Sequence, residues 1–270
     1  FGGNEQEVAP AAMALEVFHN FTLLHDDVMD KAEVRRGRPT VHIQWNENTA
    51  ILSGDQMMIE AYKLLVEVPA DKLHKVLRLF NEMATEICEG QQYDVDFESQ
   101  EHVTIEEYLK MIRLKTSVLL ATALQIGSYL AGANEAQQEA LYQFGINVGL
   151  AFQIQDDILD VWGDPKTFGK AVGGDISCNK KTYVYLTAQQ LADAELAEEL
   201  HQWYGSVLDD NTEKIAAVKG IFEQLNVRAA CEAVVEDYTQ KPLLILDTLP
   251  PNAATEQLRQ LANKLNTRKD

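Results

Sequence analysis

Long apolar runs are missing from this 270-residue chain; the longest, Ala11 to Leu15, has five residues. A bilayer-spanning helix needs about 20. The stretch Thr116 to Asn134 carries no charge, but Thr, Ser, Gln and Gly interrupt it throughout, which predicts a buried central helix and no stable membrane insertion. Cysteine is scarce too. Cys88, Cys178 and Cys231 are far apart and odd in number, which excludes a disulfide framework or a zinc spacing and fits a reducing, cytoplasmic setting. Basic residues are outnumbered, 23 Lys and Arg against 42 Asp and Glu, for a net charge of −19. Such a field repels polyanions and argues against nucleic acid or anionic lipid as a partner. Only seven prolines interrupt the chain, and apolar–polar alternation long enough for a sheet is absent. The sequence opens at Phe1 without an initiator Met, so a fragment is expected, with any N-terminal targeting or helical segment out of view.

What is present is helical spacing. Apolar residues make up 46% of the chain, a globular composition with enough material for a sizeable core. Ile51, Gly54, Met57, Met58, Ala61, Leu64 and Leu65 recur at three- and four-residue intervals. Thr104-Ile-Glu-Glu107 is a capping box, and Tyr108, Ile112, Leu119, Ala123 and Ile126 continue its stripe. The pattern predicts an all-α, single-domain helical bundle of about ten helices. No low-complexity linker, solenoid repeat or shift in composition marks a second domain, so residues 1–270 are expected to form one.

Chemistry begins at His25-Asp26-Asp27-Val28-Met29-Asp30. Asp26 and Asp30, four apart, share one helix face, and His19 and Thr22 extend that polar line on an otherwise apolar helix. Gln153-Ile-Gln-Asp156-Asp157-Ile-Leu-Asp160 repeats the aspartate spacing inside a second apolar helix. Two unit charges 4 Å apart repel by about 4 kcal/mol at an effective dielectric near 20. Six carboxylates on such helices therefore call for cations, and hard divalent ions with oxygen ligands supply them; Mg²⁺ is often held by carboxylates together with substrate phosphates. A solvated acidic face is an even match for either cluster alone and a minority reading for two copies. Glu16-Val-Phe-His19 also matches the E-x-x-H element of di-iron bundles, but the chain holds no second such element.

Basic residues lie close to the acid in sequence. Arg35-Arg36-Gly37-Arg38 comes after the first cluster, and arginine forks bind phosphate oxygens bidentately; neutralising Asp26, Asp27 and Asp30 is a compatible role. Lys115 stands at the border of the uncharged stretch. After the second cluster comes a Gly-rich loop, Gly163 to Asp175, with Lys170, and then Asn179-Lys180-Lys181-Thr182. A basic loop beside a metal site suits a lid over a multiply charged anion. Together these residues point to diphosphate held by Mg²⁺, Arg and Lys.

In this order the motifs resemble those of the trans-isoprenyl diphosphate synthases, the polyprenyl synthetase family with the isoprenoid synthase fold. The resemblance rests on DDVMD followed by RRGRPTVH, EGQQYD at Glu89 to Asp94, Lys115-Thr116, FQIQDDILD, then FGK, GGD and NKKT. It implies a helical bundle around a central cavity, a homodimer, and a catalytic set of Asp26, Asp27, Asp30, Asp156, Asp157, Asp160, Lys115 and Lys170. Asp26, Asp30 and Asp156 would bind Mg²⁺ (Mn²⁺ can substitute), with Asp27, Asp157 and Asp160 nearby. Arg35, Lys115, Thr116, Gln153 and Lys170 would line the site of the allylic diphosphate, with Lys180 closing over it. Arg36 and His19 would hold isopentenyl diphosphate. The implied reaction adds isopentenyl diphosphate to an allylic diphosphate, giving farnesyl or geranylgeranyl diphosphate.

A Gly-Lys-x-x-Arg segment of the family would precede Phe1, and it is expected to be absent only from this chain. Phe21, five residues before Asp26, occupies the family's chain-length position, and Thr22 beside it is not aromatic; a single aromatic floor favours short products. A terpene cyclase shares the first motif but usually carries Asn/Ser/Glu in the second, unlike Asp156-Asp157-x-x-Asp160. A non-catalytic subunit of a heteromeric synthase tends to lose aspartates, and none is lost here.

Overall fold

Asn4 opens the first helix, Glu5–Met29, by accepting from the Gln6 amide at 3.0 Å. Asn46 and Thr104 do the same for the helices Glu47–Leu65 and Ile105–Ile112, the latter with both halves of its capping box formed. The computed structural model describes residues 1–164, 172–206, 208 and 210–266. Among these, Val41–Gln44, Ala70–Ser99, Val118–Leu130, Glu135–Trp162, Gly174–Ser177, Tyr183–Leu191, Ala194–Tyr204, Thr212–Gln224, Val227–Leu246 and Ala253–Asn266 are also α-helical. The all-α expectation holds. No helix among the described residues is long and apolar enough to cross a membrane.

Two local features depart from a plain helix reading. The basic turn folds as a hairpin, Val34–Arg35 against Arg38–Pro39, with Val34 opposite Pro39 and Arg35 opposite Arg38. Its two central residues, Arg36 at φ 52° and Gly37 at φ 72°, are both left-handed, as a two-residue turn matching strand twist requires. The stripe after Thr104 is also not one uniform helix. Arg113–Ser117 is a π-helical turn between the two α-helices, the kind of widened turn found often at functional sites.

The chain forms two compact units. In the first, Phe1–Thr85 with Ala121–Tyr142, the helix Glu5–Met29 packs on Glu47–Leu65. Their approach is close at Gly54, where an added Cβ would stand 2.3 Å from His25 Nε2. Ala14, Phe18, Ala50, Ala61, Leu65 and Phe80 are buried there, and Phe80 meets the Phe18 ring edge-on at 5.1 Å. In the second, Glu86–Leu120 with Gln143–Asp270, two glycines flank the π-turn. A Cβ on Gly90 would lie 2.4 Å from Lys115 N, and one on Gly149 would lie 2.5 Å from Ser117 Cα. Tyr185 stacks on Tyr204 at 3.9 Å between centroids.

Candidate functional site

Neighbouring residues on a helix differ by about 100° in direction, so consecutive aspartates cannot share a face. In the first unit Asp27 turns inward and is buried, Asp26 is half-buried, and Asp30 is exposed at the helix C-cap. The hairpin carries Arg35 back onto this helix. Arg35 reaches Asp27 Oδ1 through Nη2 at 2.7 Å and Nε at 2.8 Å, and Asp26 Oδ2 at 3.5 Å. Burial works to lower the Arg35 pKa, but the hydrogen bond and charge of Asp27, helped by Asp26 and Asp30, raise it above its ordinary value.

His19, Arg35 and Arg36 form a second grouping on the same unit. Burial lowers the His19 pKa; Glu16 opposes this, and the charges of Arg36 and Arg35 add to it. An anion bound there would offset the two guanidinium charges and so favour the charged imidazole. Thr22 Oγ1 donates to the His19 carbonyl at 2.8 Å, so its hydroxyl belongs to its own helix. Phe21 is half-buried, with its ring centroid 5.3 Å from that of Phe18 and 4.8 Å from that of His25. Glu16 Oε1 accepts from Asn20 Nδ2 at 3.0 Å.

The second unit treats its motif in a parallel way. Asp157 is 3% exposed, and Oδ2 accepts from Tyr108 OH at 2.6 Å and from the Tyr183 amide at 3.0 Å. Gln153 Nε2 approaches Asp157 Oδ1 at 3.3 Å, while Gln153 Oε1 accepts from Thr116 Oγ1 at 3.2 Å. Burial, then the charge of Asp175, pushes the Asp157 carboxyl up to about 8, against the pull of the three donors. Asp160 anchors the segment beginning at Gly173: its carbonyl accepts from Gly173 N at 2.7 Å and its Oδ2 from Asp175 N at 3.1 Å. Asp156 is half-buried.

Part of the compensation for the six carboxylates comes from the protein itself. Arg35 meets Asp27, three donors meet Asp157, and the Asp175 amide meets Asp160.

Lys115 and Lys180 come together on Asp94, at 2.6 Å and 3.7 Å. Burial works to raise the Asp94 pKa, but the charges of Lys180 and Lys115 outweigh it and hold the carboxyl below its ordinary value. Lys181 points elsewhere, donating to the Phe97 carbonyl at 2.8 Å. Lys170 lies outside the described residues. Asp94 had a sequence signal in EGQQYD without a role attached. Tyr108 looked like one more apolar stripe residue, and its hydroxyl is the part the spacing could not place.

Among the described residues, no three or more His, Cys, Asp or Glu side chains are gathered closely enough to hold a metal ion. The donor set still suits one. Carboxylate oxygens are the hard ligands Mg²⁺ takes, one or two at a time, with phosphate and water completing its octahedron.

Residues 2–225 match the family model described as Polyprenyl synthetase. The chain is 44% identical over 202 residues to a short chain isoprenyl diphosphate synthase of Methanocaldococcus jannaschii, covering 74% of this chain and 62% of that protein. It is 39% identical over 268 residues to a geranylfarnesyl diphosphate synthase of Natronomonas pharaonis, covering 97% and 76%. A solved geranylgeranyl pyrophosphate synthetase from Pyrococcus horikoshii superposes with a TM-score of 0.92 at 34% identity, over 99% of this chain and 81% of that one. The match to the Methanocaldococcus protein thus spans less than two thirds of that relative's own length.

Proposed function

Because this chain belongs to the polyprenyl synthetase family, we propose that it is a prenyltransferase that joins isopentenyl diphosphate head-to-tail to an allylic diphosphate. The products are a short-chain all-trans prenyl diphosphate and free diphosphate. One observation carries the reading: a single buried carboxylate, Asp94, gathers Lys115 and Lys180 in the unit that also holds Asp156. Two ammonium groups that converge on one carboxylate can take a more highly charged anion as a further partner.

In the reaction, the allylic C–O bond breaks and its electron pair leaves on the diphosphate. The isopentenyl double bond attacks the allylic cation, forming a C–C bond, and a proton is then lost. Arg35, Lys115, Gln153 and Lys180 orient the departing diphosphate and offset its growing charge. Arg36 and His19 hold the diphosphate of isopentenyl diphosphate. Asp26, Asp30 and Asp156 would hold Mg²⁺, which when bound supplies further positive charge to the leaving group. Apolar walls keep water from quenching the cation. The family resemblance supports a homodimer working in the cytoplasm.

Incubating the full-length protein with isopentenyl diphosphate, an allylic primer and Mg²⁺ tests this. Elongated prenyl diphosphates, identified by mass spectrometry, are the expected products. Hydrocarbon products would make it a cyclase, and inertness that a partner protein relieves would make it a subunit.

A further inference from the structure

Lysine is almost never fully buried without a partner, yet Lys214 is 0% exposed. It sits on the helix Thr212–Gln224, far in sequence from either aspartate motif, on the same stripe as the buried Val218, Ile221 and Phe222. Its ammonium donates to Asn179 Oδ1 and, at 3.1 Å, to the Ser206 carbonyl, and it lies 6.0 Å from the centroid of the Tyr204 ring. Neither oxygen is a carboxylate. A methionine would fill much of this volume without the cost of desolvating a charge, so packing alone does not account for a lysine here.

What Lys214 grips is the residue directly before Lys180. Asn179 is left-handed, at φ 58°, a conformation that asparagine tolerates better than most residues. The turn around it is closed by Asn179 N to the Ile176 carbonyl at 3.2 Å and Lys180 N to the Asp175 carbonyl at 2.8 Å. The same helix supports this segment elsewhere. Ile215 packs against Gly173, where an added Cβ would meet Ile215 Cγ2 at 2.8 Å. The segment from Gly173 to Asn179 is therefore seated on Thr212–Gln224 near both of its ends, and Lys180 leaves that seat to reach Asp94 at 3.7 Å.

We propose that Lys214 is a positioning residue which, by fixing the Asn179 side chain, aims Lys180 at the diphosphate. This rests on the prenyltransferase reading, because it takes diphosphate as the ligand of Lys180. It adds a residue, and a helix, that carry no aspartate or arginine motif.

The test is calorimetric binding of inorganic diphosphate with Mg²⁺ to the full chain, well below the melting temperature, where no turnover is needed. Wild type binds. Lys214→Met and Asn179→Gly should each bind about tenfold more weakly, the scale of one lost hydrogen bond to a charged group. Asn179→Asp keeps the left-handed turn and an acceptor for Lys214, and it should stay within about twofold of wild type. Lys180→Ala should weaken binding in the wild type and add little in Lys214→Met, since the lysine is already misaimed. Wild-type affinity in Lys214→Met, or additive losses in the double variant, would overturn the proposal while leaving the prenyltransferase reading intact. Should Lys214→Met not fold, equal affinities for Asn179→Gly and Asn179→Asp would overturn it as well. A wild-type protein that ignores diphosphate would sink the prenyltransferase reading, and this inference with it.

Discussion

Replacing Gly90 with alanine adds one methyl group where the helix Ala70–Ser99 passes the π-turn. That methyl carbon would stand 2.4 Å from Lys115 N, 2.7 Å from Leu114 C and 2.8 Å from Lys115 Cα. All three are main-chain atoms, so no side chain can swing aside. An ordinary contact needs about 3.5 Å, which leaves roughly 1 Å to be made up by moving backbone. Overpacking of this kind costs about 1–3 kcal/mol, and the better helix propensity of alanine returns about 0.5–1 kcal/mol. The net loss runs up to about 2.5 kcal/mol, or several degrees in melting temperature for a chain of this size. Gly220 supplies the contrast, since it too lies inside a helix, Thr212–Gln224, but an added Cβ there meets nothing within 4 Å. Gly220→Ala should stabilise by about 0.5–1 kcal/mol. Urea unfolding followed by far-ultraviolet circular dichroism measures both. Asp94 lies one turn after Gly90 on the same helix, so the displaced turn should also carry Lys115 away from its 2.6 Å contact with Asp94. Diphosphate affinity should fall with stability in Gly90→Ala and stay unchanged in Gly220→Ala. If the two variants shift stability in the same favourable direction, the steric argument is wrong.

The Asp94 carboxyl is held below its ordinary pKa by Lys180 and Lys115 despite burial, so its contribution to stability is fully present above about pH 4 and lost as pH falls through the lowered value. Asp94→Asn should accordingly be less stable than wild type at neutral pH, with the gap closing on acidification below that point; a gap independent of pH would contradict the ion-pair account. Asp26→Ala and Asp156→Ala should each cut turnover by orders of magnitude while circular dichroism stays unchanged, and excess EDTA should abolish activity; near-normal rates in any of these conditions would remove the metal assignment. Phe21→Ala deletes a ring packed between Phe18 and His25 and should lengthen the products with less effect on rate. An unchanged chain-length distribution would falsify its assignment as the floor.

Much of the fold was legible because helix signals are local. The Thr104–Glu107 box and the Ile51 to Leu65 stripe each reappear as a capped helix. The π-turn at Arg113–Ser117 left no such mark, since one widened turn changes hydrogen bonding without changing residue types. The hairpin did have a signal, a glycine after a basic run, but two-residue strands are too short to show alternation. Within the motifs, helix phase separates Asp26 from Asp27, yet only the folded chain shows that Arg35 claims the inner one. Lys214 was hidden for a different reason. A lysine on an amphipathic helix reads as surface, and what marks it as core is its register with Val218 and Ile221, a signal weaker than the usual assumption about charge.

The π-turn also ties chain length to the aim of one side chain. A turn closed by i to i+5 bonds holds one residue more than an α-turn, so Arg113–Ser117 behaves as an insertion absorbed within a helix. Deleting a single residue there would restore regular α-helical bonding, which taken by itself is the better helix. Because the widened turn winds less per residue, five residues in it turn about as far as four in a regular helix, so the stretches on either side keep their phase with or without the extra residue. Val118, Ala121 and Ile126, buried now, would keep their faces, and the directions that change would be those within the turn, where Lys115 stands. Insertions and deletions are usually tolerated in loops and harmful in regular helices, where each shifts the phase by about 100°. Here the irregular turn absorbs its extra residue, so what its length sets is the aim of Lys115 on Asp94 rather than the register of the helices around it.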